Sequence, residues 1–349
     1  MIKDENKVNV RYPDYFVIFN YGLPKKHFIS KNITLHPYHV ENSIGHTLLY
    51  DVTIAEVNFT ENEVPDTFDP QLDKPWKKLL NSGAESAYYS KDQLEIFLAC
   101  LQISNQPLDE KINLFNFLKS SSDALFDPID DPFPIGILSN SYPIRFGNLK
   151  LTSENFPSAH NLIIDTVVNS SYYQFGAAFW VAPITPTHIS NSIEFYKKVL
   201  SIIDRKNTKD EKRTSALLQN ILLTYYGTKI EDTLVSISSS MAIIEAMFGS
   251  PESPTMSIQD RVPKYLGNGY GKLSKILRIM YDLRSVNAHL KYTHQFSSHP
   301  NLHNFYDNKR LISSLTTILI EKWVNEIFNG KTRKEFRTSI IGDEEYSKK

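Results

Sequence analysis

The sequence is poor in two residue types, cysteine and glycine. It has one cysteine, Cys100, among 349 residues, which excludes an intramolecular disulfide and a zinc site built from several thiolates. It has 13 glycines against 19 tyrosines and 20 phenylalanines, so long flexible tracts are not expected. With 41% hydrophobic and 22% charged residues, the chain has enough apolar material for packed cores, and its length suggests two domains.

Long hydrophobic runs are absent as well. No stretch approaches the ~18 consecutive apolar residues that a membrane-spanning helix needs. The opening residues MIKDENKVNV lack the apolar stretch of a signal peptide. We therefore expect a cytoplasmic location and no membrane partner.

The net charge of −1 conceals an uneven distribution. Residues 1–187 carry 14 basic and 22 acidic side chains, whereas residues 188–349 carry 24 and 17. A basic half beside an acidic half suggests that the C-terminal half meets polyanions. An uneven distribution of charged residues over solvent-exposed surfaces explains the same numbers. Charge alone therefore does not decide between the two interpretations.

The N-terminal half has the pattern of β-strands. Five segments are rich in β-branched and aromatic residues and are bounded by turn formers, namely 14–22, 46–60, 141–152, 162–168 and 172–182. The last two of these segments read as a hairpin. Two further stretches, around 91–103 and 107–119, have helical periodicity.

The pattern becomes helical after the prolines of segment 182–190, where Thr187 or Ser190 is placed to cap a first helix. From there apolar residues recur every three or four positions, which is typical of helices with one buried face. The clearest stripes are Ile237, Met241, Ile244 and Phe248, then Leu273, Leu277, Met280 and Leu283, then Leu311, Leu315, Leu319 and Trp323.

These patterns predict an α+β chain. A β-rich N-terminal domain is expected over residues 1–185, and an all-α helical-bundle domain over residues 186–330. A polar C-terminal tail, frayed at its end, is expected over residues 331–349.

A candidate catalytic motif closes one of the predicted helices. The segment YDLRSVNAHL, residues 281–290, contains Arg284 and, five positions later, His289. Arginine and histidine at this spacing recur by chance, and a surface arginine beside a helix-terminal histidine is the plain alternative. Five residues turn a helix by about 140°, so the two side chains share one site only if the helix loosens near Ala288, if Arg284 sweeps round, or if a second protomer completes it.

The surroundings strengthen the motif. The segment from 230 to 290 resembles the Apea-like HEPN family of prokaryotic anti-phage defence. The matching pieces are a helix ending IIEAMFG at 243–249, the variable loop after it, the short SIQDRVPKYL helix with Arg261, and YDLRSVNAH. The family often has Val-His-Gly where this chain has Ala288, His289 and Leu290, so a helix-ending glycine is missing.

The resemblance implies a helical HEPN bundle that forms a homodimer and cuts RNA in a cleft between two protomers, with no metal or other cofactor. Arg284 and His289 match the family's catalytic residues position by position. Ser285 and Asn287 match the polar positions inside the motif and take supporting roles.

The chemistry of RNA cleavage suits these residue types. RNA carries its own nucleophile, the 2′-hydroxyl, so the enzyme has only to move protons and stabilise charge. A histidine with a pKa near ~6.5 accepts the 2′-hydroxyl proton or protonates the leaving 5′-oxygen. An arginine stays charged and matches the paired oxygens of a phosphate. The expected products carry a 2′,3′-cyclic phosphate and a 5′-hydroxyl.

Basic residues near the motif are candidates for RNA contacts. Lys272, Lys275 and Arg278 are predicted on the polar side of the catalytic helix, and His294 follows the motif. The basic tail KTRKEFRTS, residues 331–339, is a weaker candidate. Solvated surface charge is the alternative interpretation for all of these residues.

Three other groups have the residue types of metal ligands. They are His294, His299 and His303 after the motif, His36, His39 and His46 in the β-rich half, and Asp127, Asp130 and Asp131 in a proline-rich loop. The spacing of His294, His299 and His303 could hold a metal, but short histidine spacings recur by chance, as they do in the second group. The aspartates lack a recognised metal-loop spacing. We interpret them as solvated residues and predict no metal site.

The predicted function is a metal-independent HEPN endoribonuclease, a hydrolase that acts as a toxin or antiviral defence effector with RNA as its substrate. The N-terminal domain is expected to bind a phage-derived or cellular trigger, or to restrain the nuclease. The alternative is a non-catalytic HEPN RNA- or nucleotide-binding module within a larger complex. A third hypothesis, an interaction scaffold, needs neither Arg284 nor His289 and places both in packed or salt-bridged surroundings.

Overall fold

A computed structural model of the chain describes residues 11–18, 21–40, 50–60, 84–121, 126, 144–147, 182–230, 233–249, 254–267, 269–288 and 305–341. The chain forms two compact units. The first comprises Met1–Glu95 and Ser141–Ile189, and the second comprises Ile96–Asn140 and Ser190–Lys349. Strands form a sheet in the first unit and helices dominate the second, so the chain is α+β as predicted.

The first unit contains a five-stranded antiparallel sheet and a short parallel pair. The strands are β1 (Arg11–Ile18), β2 (Tyr21–Gly22), β3 (His27–Phe28), β4 (Ile33–Val40), β5 (Tyr50–Thr60), β6 (Ile144–Gly147) and β7 (Ala182–Pro183). The sheet order is β3-β4-β5-β1-β6, and β2 pairs with β7. The strands predicted within 14–22, 46–60 and 141–152 are confirmed. The predicted hairpin of 162–168 and 172–182 lies outside the described residues, apart from Ala182 in β7.

One face of the sheet is almost completely buried, and on the opposite face Tyr15 and Ile54 are buried as well. Ala55 of β5 lies between Phe16 of β1 and Leu35 of β4, and all three residues are almost inaccessible. Because side chains alternate along a strand, Glu56 points to the opposite face. There the Glu56 carboxylate lies 2.9 Å from the Nε2 atom of His36.

The helices are α1 (Ala84–Ser104), α2 (Leu108–Lys119), α3 (Pro186–Ile203), α4 (Lys209–Ile230), α5 (Thr233–Phe248), α6 (Pro254–Leu266), α7 (Leu273–Ala288), α8 (Phe305–Phe328) and α9 (Arg333–Ile341). The helix predictions at 91–103 and 107–119 are confirmed by α1 and α2. Helix α5 is central, because α4, α6, α7 and α8 all pack against it. Its predicted stripe of Ile237, Met241, Ile244 and Phe248 is buried.

The C-terminal half of α1 is buried on nearly every side. Ten consecutive residues, Leu94 to Ile103, are each no more than 7% exposed. The burial raises the pKa of the Cys100 thiol well above its ordinary value. Apart from Glu95 and Gln102 these residues are apolar, as expected for a helix buried in a core. Among the described residues, no helix is both long and apolar enough to cross a membrane.

The start of α3 differs from the prediction. The backbone N–H of His188 donates to the hydroxyl of Thr185 at 3.2 Å, so Thr185 caps the helix rather than Thr187 or Ser190. Pro186 is the first helical residue, a position that suits proline because its missing N–H would have no helical acceptor there.

Helix α2 belongs with the helical unit although it precedes the later strands in sequence. It packs against α8, where Lys111 lies 2.6 Å from the carboxylate of Glu321. Glu110 of α2 also accepts a hydrogen bond from Ser314 of α8. The compact units therefore interleave along the chain, which differs from the single division predicted between residues 185 and 186.

The segment predicted as a polar tail contains α9, which has a buried face. Phe336 is 1% exposed and Ile340 is 4% exposed. The ring of Phe336 packs against Phe248 at 5.6 Å and Tyr265 at 5.2 Å between centroids. The prediction of a frayed tail is therefore wrong for Arg333–Ile341, because the two apolar residues dock this short helix onto the bundle.

Candidate functional site

Arg284 lies near the C-terminal end of α7, on its buried face. Leu273, Leu277 and Met280 form this face and are at most 1% exposed. Arg284 follows Met280 by four residues, and side chains at that spacing lie on one side of a helix. Because this face packs against α5, the helical period directs the arginine toward the bundle.

A carboxylate from α5 receives the guanidinium. The Nη1 atom of Arg284 lies 2.5 Å from the Oε2 atom of Glu245, and the two side chains are 29% and 26% exposed. The ring of Tyr281 lies on another side of the guanidinium, with 5.6 Å between the ring centroid and the Cζ atom. The arginine is thus held by an ion pair and a cation–π contact.

Gly249 and Arg261 fix the backbone near Glu245. Both belong to the segments that resemble the HEPN family. The N–H of Gly249 donates to the carbonyl of Glu245 at 2.7 Å. A Cβ atom at Gly249 would come within 2.6 Å of that carbonyl oxygen and 2.9 Å of the Glu245 Cγ atom. Arg261 of α6, itself buried, donates from Nη1 to the carbonyl of Phe248 at 2.9 Å. These contacts close the end of α5 around Glu245.

Of the predicted catalytic pair, the structure describes Arg284 only. Helix α7 ends at Ala288, one residue before His289, which lies outside the described residues. Ser285 is half-buried beside Arg284. Asn287 is in the last turn of α7, and its side chain is also outside the described part. Chemically, the described residues supply a positioned cation that suits a phosphate or another oxyanion.

Lys272 does not occupy the solvent-facing position predicted for an RNA contact. Its ammonium lies 4.5 Å from the centroid of the Phe117 ring on α2. The Nζ atom is buried and has no hydrogen-bond partner among the described residues. The backbone N–H of Lys272 also reaches the carbonyl of Leu118 at 3.4 Å. The lysine therefore joins α2 to the start of α7.

Lys275 and Arg278 are exposed on α7, and their three-residue spacing puts them on one edge of the helix. These positions agree with the predicted polar side. His294 lies outside the described residues. Lys331, from the basic tail, pairs with Glu326 at 3.0 Å.

Metal-ligand residues do not gather in the described ranges, where no group of three or more His, Cys, Asp or Glu side chains could hold an ion. His36 contacts Glu56, whose second carboxylate oxygen accepts a hydrogen bond from Asn58 at 2.8 Å. The candidate groups after residue 288 and around residue 130 lie outside the described residues, as do His46 and the side chain of His39.

Sequence reasoning missed Glu245, although the sequence contains a signal for it. Glu245 is the single charged residue of α5, TLVSISSSMAIIEAMF. A charge on a helix that is mostly buried costs free energy when it is left unpaired, so this glutamate indicates a cationic partner. The spacing of Arg284 from Met280 puts that cation on the α7 face that meets α5.

The resemblance to the HEPN family rests on the residues quoted from segment 230–290, because the wider comparisons add nothing to it. No family model matches the chain, and no curated protein and no solved structure matches it.

Proposed function

We propose that this protein is a metal-independent endoribonuclease of the HEPN type. Arg284 binds the phosphate of the scissile bond, and His289 transfers protons. The observation that carries the proposal is the Arg284 guanidinium, held by Glu245 and Tyr281 at the end of α7. Helix α7 ends at Ala288, and His289 is the next residue, five positions after the anchored arginine in sequence.

The reaction needs only groups that this proposal names. The RNA 2′-oxygen attacks phosphorus while a His289 imidazole accepts its proton. The bond from phosphorus to the 5′-oxygen breaks, and an imidazolium returns a proton to that oxygen. The products carry a 2′,3′-cyclic phosphate and a 5′-hydroxyl. A homodimer supplies two His289 side chains for the two proton transfers, and Arg284 stabilises the charge on the pentacoordinate phosphorus.

The biological role extends the same proposal. A cytoplasmic RNA-cutting enzyme of this kind is a toxin or antiviral defence effector, and the first unit binds a phage-derived or cellular trigger. The uneven charge supports a division of labour, because the basic excess lies in residues 188–349 and the acidic excess in residues 1–187. Exposed Lys275 and Arg278 are the described candidates for further RNA contacts.

The second candidate function is a non-catalytic RNA- or nucleotide-binding module within a larger complex, or a scaffold that needs neither motif residue. The Arg284–Glu245 ion pair favours the scaffold, because a salt-bridged arginine also serves a purely structural purpose. The two candidates differ in whether His289 reacts, and this difference decides the experiment.

The test compares wild type, His289→Ala and the matched control His299→Ala, using total cellular RNA in excess EDTA. Wild type and the control should release fragments with 2′,3′-cyclic phosphate ends. His289→Ala should lose about 10²–10⁴-fold in rate and keep its RNA affinity and melting temperature. Full cleavage by folded His289→Ala would show that the nuclease interpretation is wrong. A wild type that binds RNA without cutting it would establish the binding module instead.

A further inference from the structure

Glu245 is the one charged side chain of α5. Its neighbours Ile244 and Met247 are buried, whereas Ala246 is exposed, so the carboxylate lies at the edge of the buried face. The Glu245 side chain is 26% exposed, and its Oε2 atom lies 2.5 Å from the Nη1 atom of Arg284. The Glu245 carboxylate therefore pairs with Arg284, the residue that we propose binds the phosphate.

We propose that Glu245 is a positioning residue of this site, which rests on the ribonuclease function proposed above. Glu245 holds the Arg284 guanidinium in one orientation, and it screens the positive charge that RNA meets in the ground state. It does not touch substrate and takes no part in proton transfer. The two effects have opposite consequences for substrate affinity and for rate, so they can be measured separately.

The orientation effect follows from the geometry around the arginine. An arginine side chain is long and freely rotating, so its planar donors meet a phosphate correctly only when the guanidinium is held. Glu245 binds Nη1, and Tyr281 lies against another side of the group. The hydrogen bond from the Gly249 N–H to the Glu245 carbonyl in turn fixes the backbone that carries the carboxylate at the end of α5. The orientation is therefore set by the packing of α5 on α7.

The screening effect follows from the short distance between the charges. An ion pair at 2.5 Å is nearly neutral when seen from outside, so a phosphodiester anion is attracted less strongly than by a free arginine. Removing the carboxylate charge should therefore tighten RNA binding. Added salt should shrink this gain, because the side chains are partly exposed to solvent.

Three substitutions separate these effects in the full chain. Glu245→Gln keeps a carbonyl acceptor and removes the charge, Glu245→Asp keeps the charge and shortens the reach, and Glu245→Ala removes both. The matched control is Glu321→Gln, which also neutralises a partly exposed carboxylate (31%) in an ion pair, with Lys111 at 2.6 Å. The probe is a fluorescein-labelled single-stranded RNA of mixed sequence. Its affinity is measured in the His289→Ala background, so that cleavage does not interfere.

Glu245→Gln should lower KM and Kd by about 2- to 5-fold with nearly unchanged kcat, and the gain should fade at high salt. Glu245→Ala should lower kcat by about 10²-fold without raising KM. Glu245→Asp should lie between wild type and Glu245→Ala in kcat. The control should match wild type in both constants. If Glu245→Ala fails to fold, the opposed responses of Glu245→Gln and Glu245→Asp still carry the test.

Two results overturn the inference while the nuclease stands. One is a folded Glu245→Ala enzyme with wild-type kcat. The other is a set of variants in which KM rises, kcat falls and the melting temperature drops together, which is the response of a purely structural ion pair. A wild-type protein that does not cleave the probe or total RNA overturns both proposals, and that outcome is recognised because His289→Ala then changes nothing.

Discussion

At the scale of single residues, three cations of the helical unit have partners that define what they do. Arg284 meets a carboxylate, Arg261 meets the carbonyl of Phe248, and Lys272 lies over the ring of Phe117. Arg261 and Lys272 have a structural role. Arg261 joins α6 to α5, and Lys272 joins the start of α7 to α2. Arg284 differs because it keeps 29% exposure at a helix end, where an incoming anion can reach it.

RNA cleavage should therefore depend on the guanidinium group of Arg284 and not on its positive charge alone. We expect Arg284→Lys to lose RNA cleavage almost as fully as Arg284→Ala, because an ammonium cannot offer paired donors to Glu245 and a phosphate together. The lysine variant should melt close to wild type, since it can still pair with Glu245. The free energy of unfolding of the alanine variant should fall by about 1 kcal/mol, because the Glu245 carboxylate loses its ion-pair partner.

Rates of RNA cleavage and thermal melts of both variants check this expectation. Efficient cleavage by Arg284→Lys would mean that a point charge is enough. The ion pair with Glu245 is the reason to expect a lower melting temperature for Arg284→Ala.

At the scale of elements, two helices of the second unit begin with the same local device. Thr208 and Glu211 at the start of α4, and Thr332 and Glu335 at the start of α9, exchange backbone hydrogen bonds through their side chains. This capping box satisfies two N–H groups that a helix start leaves unpaired. The backbone hydrogen bond from Thr332 lowers the pKa of Glu335. A nine-residue helix still needs tertiary contacts to be stable.

Those contacts should come from Phe336. Phe336→Ala should destabilise the helical unit by about 3–5 kcal/mol, since it empties a fully buried site. Phe328→Ala is the matched control, because Phe328 is 38% exposed and its loss should cost much less. Urea unfolding followed by circular dichroism measures both. Equal midpoints for the two variants would mean that α9 does not stabilise the bundle.

Strand β4 and helix α9 escaped sequence reasoning because their apolar patterns are interrupted or short. Strand β4 was missed because Pro37 and two histidines interrupt its alternation; Pro37 lies beyond the short pairing with β3 and beside β5 only, where a missing N–H is tolerated. Helix α9 was missed because only two apolar residues, Phe336 and Ile340, mark its buried face. By contrast, the stripes of α5, α7 and α8 were evident because each repeats over several turns.

For the site, the sequence predicted Arg284 and its place at the end of a helix, but not its partner. The lone charge of Glu245 indicates that it needs a cationic partner, but which residue supplies that cation depends on which face of α5 meets α7, and short-range periodicity does not contain that information. The assignment of α2 to the helical unit escaped for the same reason, since Lys111 and Glu321 are 210 residues apart.

At the scale of the whole molecule, the chain alternates between its two units. It contributes to the first unit, crosses to the second at Ile96, returns at Ser141 and crosses again at Ser190. A chain that crosses in this way cannot be cut once into two self-sufficient pieces. The uneven charge therefore does not follow the units exactly, because residues 96–140 lie in the acidic half of the sequence.

The ribonuclease proposal carries an expectation about assembly. The protein should be a homodimer that pairs the two α7 ends, because a two-fold axis there brings two copies of Arg284 and His289 toward one cleft. Light scattering coupled to size-exclusion chromatography should give twice the chain mass of 40.1 kDa. The His289→Ala variant should give the same mass, since it alters chemistry and not packing. A monomer at micromolar concentration, with RNA present, would contradict this arrangement.

The ion pair between α2 and α8 also bears on how the protein is made. Lys111 leaves the ribosome long before Glu321, 210 residues later. At about 5–20 residues per second, the first partner waits roughly 10–40 s for the second. Until then neither α2 nor α5 has helix α8 to pack against. A nascent chain therefore cannot complete the bundle around Arg284 until α8 has been synthesised.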